Sequence, residues 1–149
     1  MALRSRVGHD LLSLVGVTAV VFNDRGEVLL GLRADFREWA LPSGIVEPME
    51  EPAHAVVREV EEETAVLIQV TDLSSVGSTE VVVYPGGDQS VYPDLTFLAR
   101  AVGGTARVND DESLDVGWFA LDALPPLRAS SRTRLERALA FDGRTWFAR

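Results

Sequence analysis

The stretch GIVEPMEEPAHAVVREVEEETAV, Gly44 to Val66, carries the densest information in the chain. Pro52 suits a first helical turn, where its missing N–H has no intrahelical partner to lose, so a helix is expected from about Glu51-Pro52 onward. At about 100° per residue, with Glu59 at zero, Glu63 falls near +40° and Glu62 near −60°. Three carboxylates therefore share one face. Val56, Val60, Ala53 and Val57 fall between about +60° and +160°, a core-facing stripe beside the carboxylates, while Glu61 and His54 point to solvent. Like charges at these spacings cost roughly 0.2–0.5 kcal/mol per close pair without a counterion. Arg58, four residues before Glu62, is placed to neutralise or orient only one of them. The residues alone leave two readings open: a solvated acidic face, or a carboxylate cage for divalent cations, because several Asp or Glu oxygens with retained waters are what Mg²⁺ takes.

The charge of the whole chain is concentrated in the same place. The 149 residues carry a formal net charge of −9 with 46% hydrophobic residues, which fits one compact domain over residues 1–149 with apolar material for a core. Glu47 to Glu63 hold seven acids against Arg58, Asp110 to Asp115 hold four acids and no base, and the remaining 12 acids and 13 bases nearly cancel. General binding to nucleic acid is disfavoured by this balance. The last 22 residues, with six arginines against two acids, read as a solvated helix face. All 14 bases are arginine, so a Walker P-loop, a Schiff-base enzyme and a pyridoxal phosphate site are excluded. With no cysteine and only His9 and His54, thiolate nucleophiles, disulfide scaffolds, cysteine-ligated zinc and three-histidine zinc are excluded as well. Oxygen-binding cations are not.

Outward from the acidic stretch the pattern is mixed α and β. Arg4 and Arg6 precede the apolar run Leu11 to Phe22, but the run is too short to span a bilayer and no small-x-small cleavage site follows, so a buried strand and a cytoplasmic location are expected. Val15 to Phe22, the turn Asn23-Asp24-Arg25-Gly26 and Glu27 to Arg33 read as a β-hairpin. A short strand is expected at Trp39 to Leu41, followed by a Pro42-Ser43-Gly44 loop. Further strands are expected at Val66 to Val70, Val76 to Tyr84, Tyr92 to Val102 and Val116 to Ala120, and a closing helix at Ala129 to Phe141.

The spacing Gly44, Glu50, Arg58-Glu59, Glu62-Glu63, Val66 resembles the 23-residue signature of the Nudix hydrolases (MutT-like), with Ala65 at the signature glycine. Trp39-Ala40-Leu41-Pro42, the preceding hairpin and Gly117-Trp118-Phe119 after an acidic loop are similar to the same family. Ser43 and Met49 also stand where glycine is frequent, and the Ala65 change implies a slightly different helix exit. The resemblance implies an α/β/α sandwich around a mixed sheet and hydrolysis of a nucleoside diphosphate linked to another moiety, such as ADP-ribose or a nucleotide sugar, with Mg²⁺ or Mn²⁺. Alternatives are nucleoside triphosphates, dinucleoside polyphosphates, or a non-catalytic nucleotide-binding domain. By position Glu59, Glu62 and Glu63 are the implied metal ligands, with the backbone carbonyl of Ser43. Gly44, Glu50 and Arg58 are the implied orienting residues.

The general base is expected in the second acidic cluster, Glu112 first and Asp111 second. Tyr84 or Tyr92 is available to stack on a base and Gln89 to read its edge. Arg33 and Arg37 suit phosphate contacts, against surface pairing with Asp35 or Glu38. The partner class is a nucleotide-derived small molecule, with no nucleic acid or membrane; homodimerisation is an expectation from the resemblance alone.

Overall fold

In a computed structural model describing residues 5, 6, 8–79 and 81–149, the elements follow in order: β1 (Leu12–Ser13), β2 (Gly16–Phe22), β3 (Val28–Arg33), β4 (Trp39–Ala40), β5 (Ser43–Ile45), α1 (Pro52–Thr64), β6 (Leu67–Ser78), β7 (Val82–Val83), β8 (Gln89–Val91), β9 (Pro93–Gly103), β10 (Ser113–Phe119) and α2 (Ala129–Leu139). Arg4 and Glu80, which belong to the basic lead-in and to one expected strand, lie outside the described residues. No helix among those described is long and apolar enough to cross a membrane.

β2 is central because its side chains are buried on both faces. It pairs in parallel with β9 along its whole length, from Gly16 opposite Asp94 to Phe22 opposite Arg100. The main sheet runs β10-β3-β2-β9-β6, with β4 added on β3 and β5 on β2. Val17, Ala19 and Val21 face a core completed by Val56, Val60 and Ala55 of α1. Val20 faces the opposite core, with Leu135 and Ala138 of α2. This is the α/β/α sandwich around a mixed sheet. The hairpin turn is set by Asn23, whose Oδ1 accepts from Arg25 N and Glu27 N, both at 3.0 Å, while Gly26 takes φ 73°.

Four expectations are corrected. The apolar run Leu11 to Phe22 is two strands, and β1 pairs in parallel with β8 in a separate small sheet with β7. The expected Pro42-Ser43-Gly44 loop is partly strand: Thr18, Val17 and Gly16 pair with Ser43, Gly44 and Ile45. The expected strands at Val66 to Val70 and Val76 to Tyr84 largely merge into β6, whose register shifts against β9 absorb the irregular middle. Ala65 leaves the helix as a glycine would, at φ 62° and ψ 11°, its N–H donating to the Glu61 carbonyl.

Candidate active site

Arg58 is the hinge of the acidic helix, and it does more than its spacing indicates. Its Nε and Nη2 donate to the two Glu50 oxygens at 2.8 and 2.9 Å, Nη1 donates to Glu59 at 2.9 Å and Glu62 at 3.3 Å, and Nη2 also reaches the Ile45 carbonyl at 3.2 Å. One guanidinium therefore orients three carboxylates rather than one, because the lead-in from Gly44 to Glu50 folds back against the helix. Arg58 and the Glu47 N–H hold the Glu50 carboxyl down at about 2, and Glu50 in turn raises the Arg58 pKa. Gly44 is required by contact: a Cβ there would overlap the side chain of Glu59. Ala55 also lies on the carboxylate side of the helix yet is fully buried, within the core that α1 closes over the sheet. Glu61 and His54 are exposed as expected.

The second acidic segment reaches the first through the end of α1. Asn109 donates from its side chain to the Glu61 carbonyl at 2.9 Å, and the N–H groups of Arg107 and Asn109 donate to Thr64 and Glu63 at 3.0 and 3.3 Å. The two backbone bonds satisfy carbonyls that a helix end leaves open, and the side-chain bond adds a second donor to a carbonyl that already accepts from Ala65 N. They also bring carboxylate oxygens of Glu63, Asp110 and Glu112 within 4.8 Å of one another. Burial pushes the Glu63 carboxyl well up, and Glu59 and Asp110 add to it. Glu112 is raised by burial and then by Asp110, and Glu59 by burial against the opposing pull of Arg58. Oxygen donors crowded in this way, and held above their ordinary titration range, fit a hard divalent cation. Asp110 was missed as a site residue; its signal was the charge run that it shares with Glu112.

These groups open onto a cleft of about 1180 Å³, also lined by Ser43, Gly44, Glu59, Glu62, Asp111, Arg33, Tyr84 and Tyr92. Residues 12–139 match the family model described as NUDIX domain. The chain belongs to the NUDIX family. This NUDIX chain is 38% identical over 121 residues to 8-oxo-dGDP phosphatase NUDT18 of Mus musculus, covering 76% of itself and 34% of that protein. It is 34% identical over 108 residues to a MutT-like protein of Streptomyces ambofaciens, covering 72% and 64%. The chain thus spans about a third of the first relative and under two thirds of the second. Among solved structures, the MutT NUDIX hydrolase of Burkholderia pseudomallei superposes with a TM-score of 0.62 at 35% identity, over 84% of this chain and 97% of that one.

The remaining sequence-derived residues of this NUDIX domain divide by place. Arg33 lines the cleft, but its Nε and Nη2 are engaged with Asp35 at 2.9 and 2.6 Å. The Tyr84 and Tyr92 hydroxyls share a 2.5 Å hydrogen bond. The Tyr84 ring is tilted on Phe36 at 5.6 Å, and burial followed by Tyr92 raises its pKa. Arg37, exposed at φ 54°, and Gln89 on β8 are not among the described residues that line the cleft.

Proposed function

We propose that the chain is a divalent-metal-dependent pyrophosphohydrolase that cleaves a nucleoside diphosphate linked to another moiety. The observation that carries the reading is the meeting of two acidic segments, with Glu63, Asp110 and Glu112 within 4.8 Å, at a cleft that also holds the Arg58-oriented Glu59 and Glu62. A diphosphate brings several negative charges, which this surface repels unless a cation stands between them. Glu59, Glu62 and Glu63, the Ser43 carbonyl and Asp110 would hold Mg²⁺ or Mn²⁺. The bound cation would offset phosphate charge and lower the pKa of the attacking water. Glu112 accepts a proton from that water as its oxygen bonds to phosphorus and the bridging P–O bond breaks, the leaving phosphate carrying away the electron pair. Its raised pKa suits it to this exchange nearer neutrality. Arg58 and Glu50 orient the helix carboxylates, and Arg33 stands at the cleft wall to meet a phosphate.

The 8-oxo-dGDP named for the mouse relative shares the phosphoric anhydride bond of this class but carries no second moiety beyond its β-phosphate. The reading is tested with a panel of nucleoside diphosphate derivatives, including ADP-ribose, nucleotide sugars and oxidised guanine nucleotides, assayed for product release with and without Mg²⁺ beside Glu62→Gln. Metal-dependent release that Glu62→Gln lowers by about 10²-fold or more is expected, on the scale of losing a group that positions charge in the transition state. Tight nucleotide binding without metal-dependent release on any substrate would overturn it in favour of a binding domain.

A further inference from the structure

The cleft holds a second polar cluster that the chemistry above leaves unused. Where β2 and β9 run side by side, Gly16 stands opposite Asp94 and Thr18 opposite Thr96. Asp94 is only 6% exposed, and it accepts from Thr18 Oγ1 at 3.1 Å through Oδ1 and from Thr96 Oγ1 at 3.0 Å through Oδ2. From α2, Arg134 brings Nε to 3.0 Å from Asp94 Oδ2, with its side chain 16% exposed. Gly16, Thr18, Asp94 and Arg134 all line the cleft.

A buried ion pair is weak evidence for stability, because apolar residues of similar volume often serve as well. Two details point to a ligand instead. The terminal nitrogens of Arg134 have no acceptor among the described residues, and no buried side-chain nitrogen or oxygen of those residues lacks a partner; the guanidinium fork is therefore open to the cleft. A carboxylate also has about four acceptor positions, of which Thr18 and Thr96 occupy two, with Arg134 ion-paired at Oδ2. Gly16 keeps the remaining side of Oδ1 uncovered, since a Cβ there would stand 2.9 Å from that oxygen and 3.5 Å from Tyr92 Cβ. A donor fork and an adjacent acceptor, held by two threonines, thus face the same space beside a tyrosine.

Nucleobases answer this pattern unequally. Guanine presents O6 and N7 as neighbouring acceptors for a guanidinium fork, and its N1–H and amino group are donors for a carboxylate. Adenine places an amino donor where the fork needs an acceptor, and pyrimidines have no N7. We propose that Asp94 and Arg134 are the specificity pair of this cleft and select a purine with a carbonyl at C6, the guanine class, as the base of the nucleotide. The assignment rests on the pyrophosphohydrolase reading only for the diphosphate to which the base is attached.

The test combines kinetics on guanine, adenine, cytosine and uracil nucleoside diphosphate derivatives with calorimetric titration of GMP and AMP. The wild-type protein is expected to favour guanine by tenfold or more in kcat/KM. Arg134→Gln should lower kcat/KM on guanine substrates by about 10- to 100-fold, mainly through KM, with little change on adenine substrates. Arg134→Lys should not restore the preference, because a point charge cannot bridge O6 and N7 as a planar fork does. Asp94→Asn leaves Arg134 uncompensated and Arg134→Gln leaves the buried Asp94 so; each variant is therefore checked by circular dichroism and melting and compared only where folded, and the double variant Asp94→Leu/Arg134→Met serves as the folded control and should show no base preference. An equal loss on all four bases in Arg134→Gln, or a wild-type protein without guanine preference, would overturn the proposal. Arg134-dependent selectivity for GMP binding without metal-dependent turnover would sustain it while removing the hydrolase reading; metal-dependent turnover without base selectivity would do the reverse.

Discussion

Glu50 is a surface carboxylate by its chain position and a clamped one by its contacts, since both its oxygens accept from Arg58. Its pKa is held at about 2 against an ordinary 4.5. A folded-state pKa below the unfolded one means that the unfolded chain binds the proton more readily, so the stabilising contribution is complete above pH 4.5 and is lost as pH falls toward 2. Urea unfolding of the wild-type protein and Glu50→Gln should therefore show a stability gap at pH 6 that closes over that window; a constant gap would place the effect elsewhere. Met49 and Ala65, at φ 65° and 62°, pose a different local question. Both retain the left-handed backbone of positions where glycine is frequent, at a cost of about 1 kcal/mol each for a residue with a Cβ. Ala65→Gly and Met49→Gly should each raise stability by up to about that amount, read as a melting-point rise of about 2–4 °C. The sequence showed the substitutions at these positions but not their conformation, because local preference and tertiary demand pointed in opposite directions.

The helix α1 was readable from its period: Val56 and Val60 are buried and Ala53 and Val57 pack at the edge of the same core. Ala55 was not readable in that way, because its burial in the core between α1 and the sheet depends on how the helix seats and not on the helical period. Beyond Thr64, the end of the helix depends on the loop that follows β9. Asn109 clasps it twice, through its side chain to Glu61 and its N–H to Glu63, and so places Asp110 and Glu112 against Glu63. Asn109→Ala removes the side-chain bond. It should cost about 1 kcal/mol in unfolding free energy and weaken apparent Mg²⁺ affinity several-fold, measured as the Mg²⁺ dependence of the melting midpoint. Unchanged affinity with lowered stability would show that the loop holds its place by other contacts.

Across the whole molecule the negative charge is divided between two segments that folding superimposes. Burial raises the Glu63 pKa, with Glu59 and Asp110 contributing. The raised value means that the folded state binds this proton more tightly than the unfolded one, so ionising Glu63 opposes folding as pH rises through its folded pKa, and protonation relieves the strain as pH falls. A cation provides the same relief at neutral pH. Mg²⁺ at about 100 times its dissociation constant should stabilise the protein by roughly 2.7 kcal/mol, a melting shift of about 5–10 °C at this chain length. The shift should fade in acid as protons compete. Glu63→Gln should melt higher than the wild-type protein without metal and lose most of the Mg²⁺-induced rise; an undiminished rise would remove Glu63 from the cation site.

By itself the sequence determined the acidic helix, its valine stripe, the β-branched central strand and the spacing that identifies the family, because these depend on neighbours within a few residues and on a fixed helical or strand period. Only the tertiary structure decided that Arg58 serves Glu50, Glu59 and Glu62 together, that Asp110 joins Glu63 and Glu112, and that Asp94 meets Arg134. Arg58 meets Glu59 and Glu62 within one helix, but its contact with Glu50, that of Glu63 with Asp110 and Glu112, and that of Asp94 with Arg134 join different segments, and periodicity carries no information about the path a chain takes between its elements.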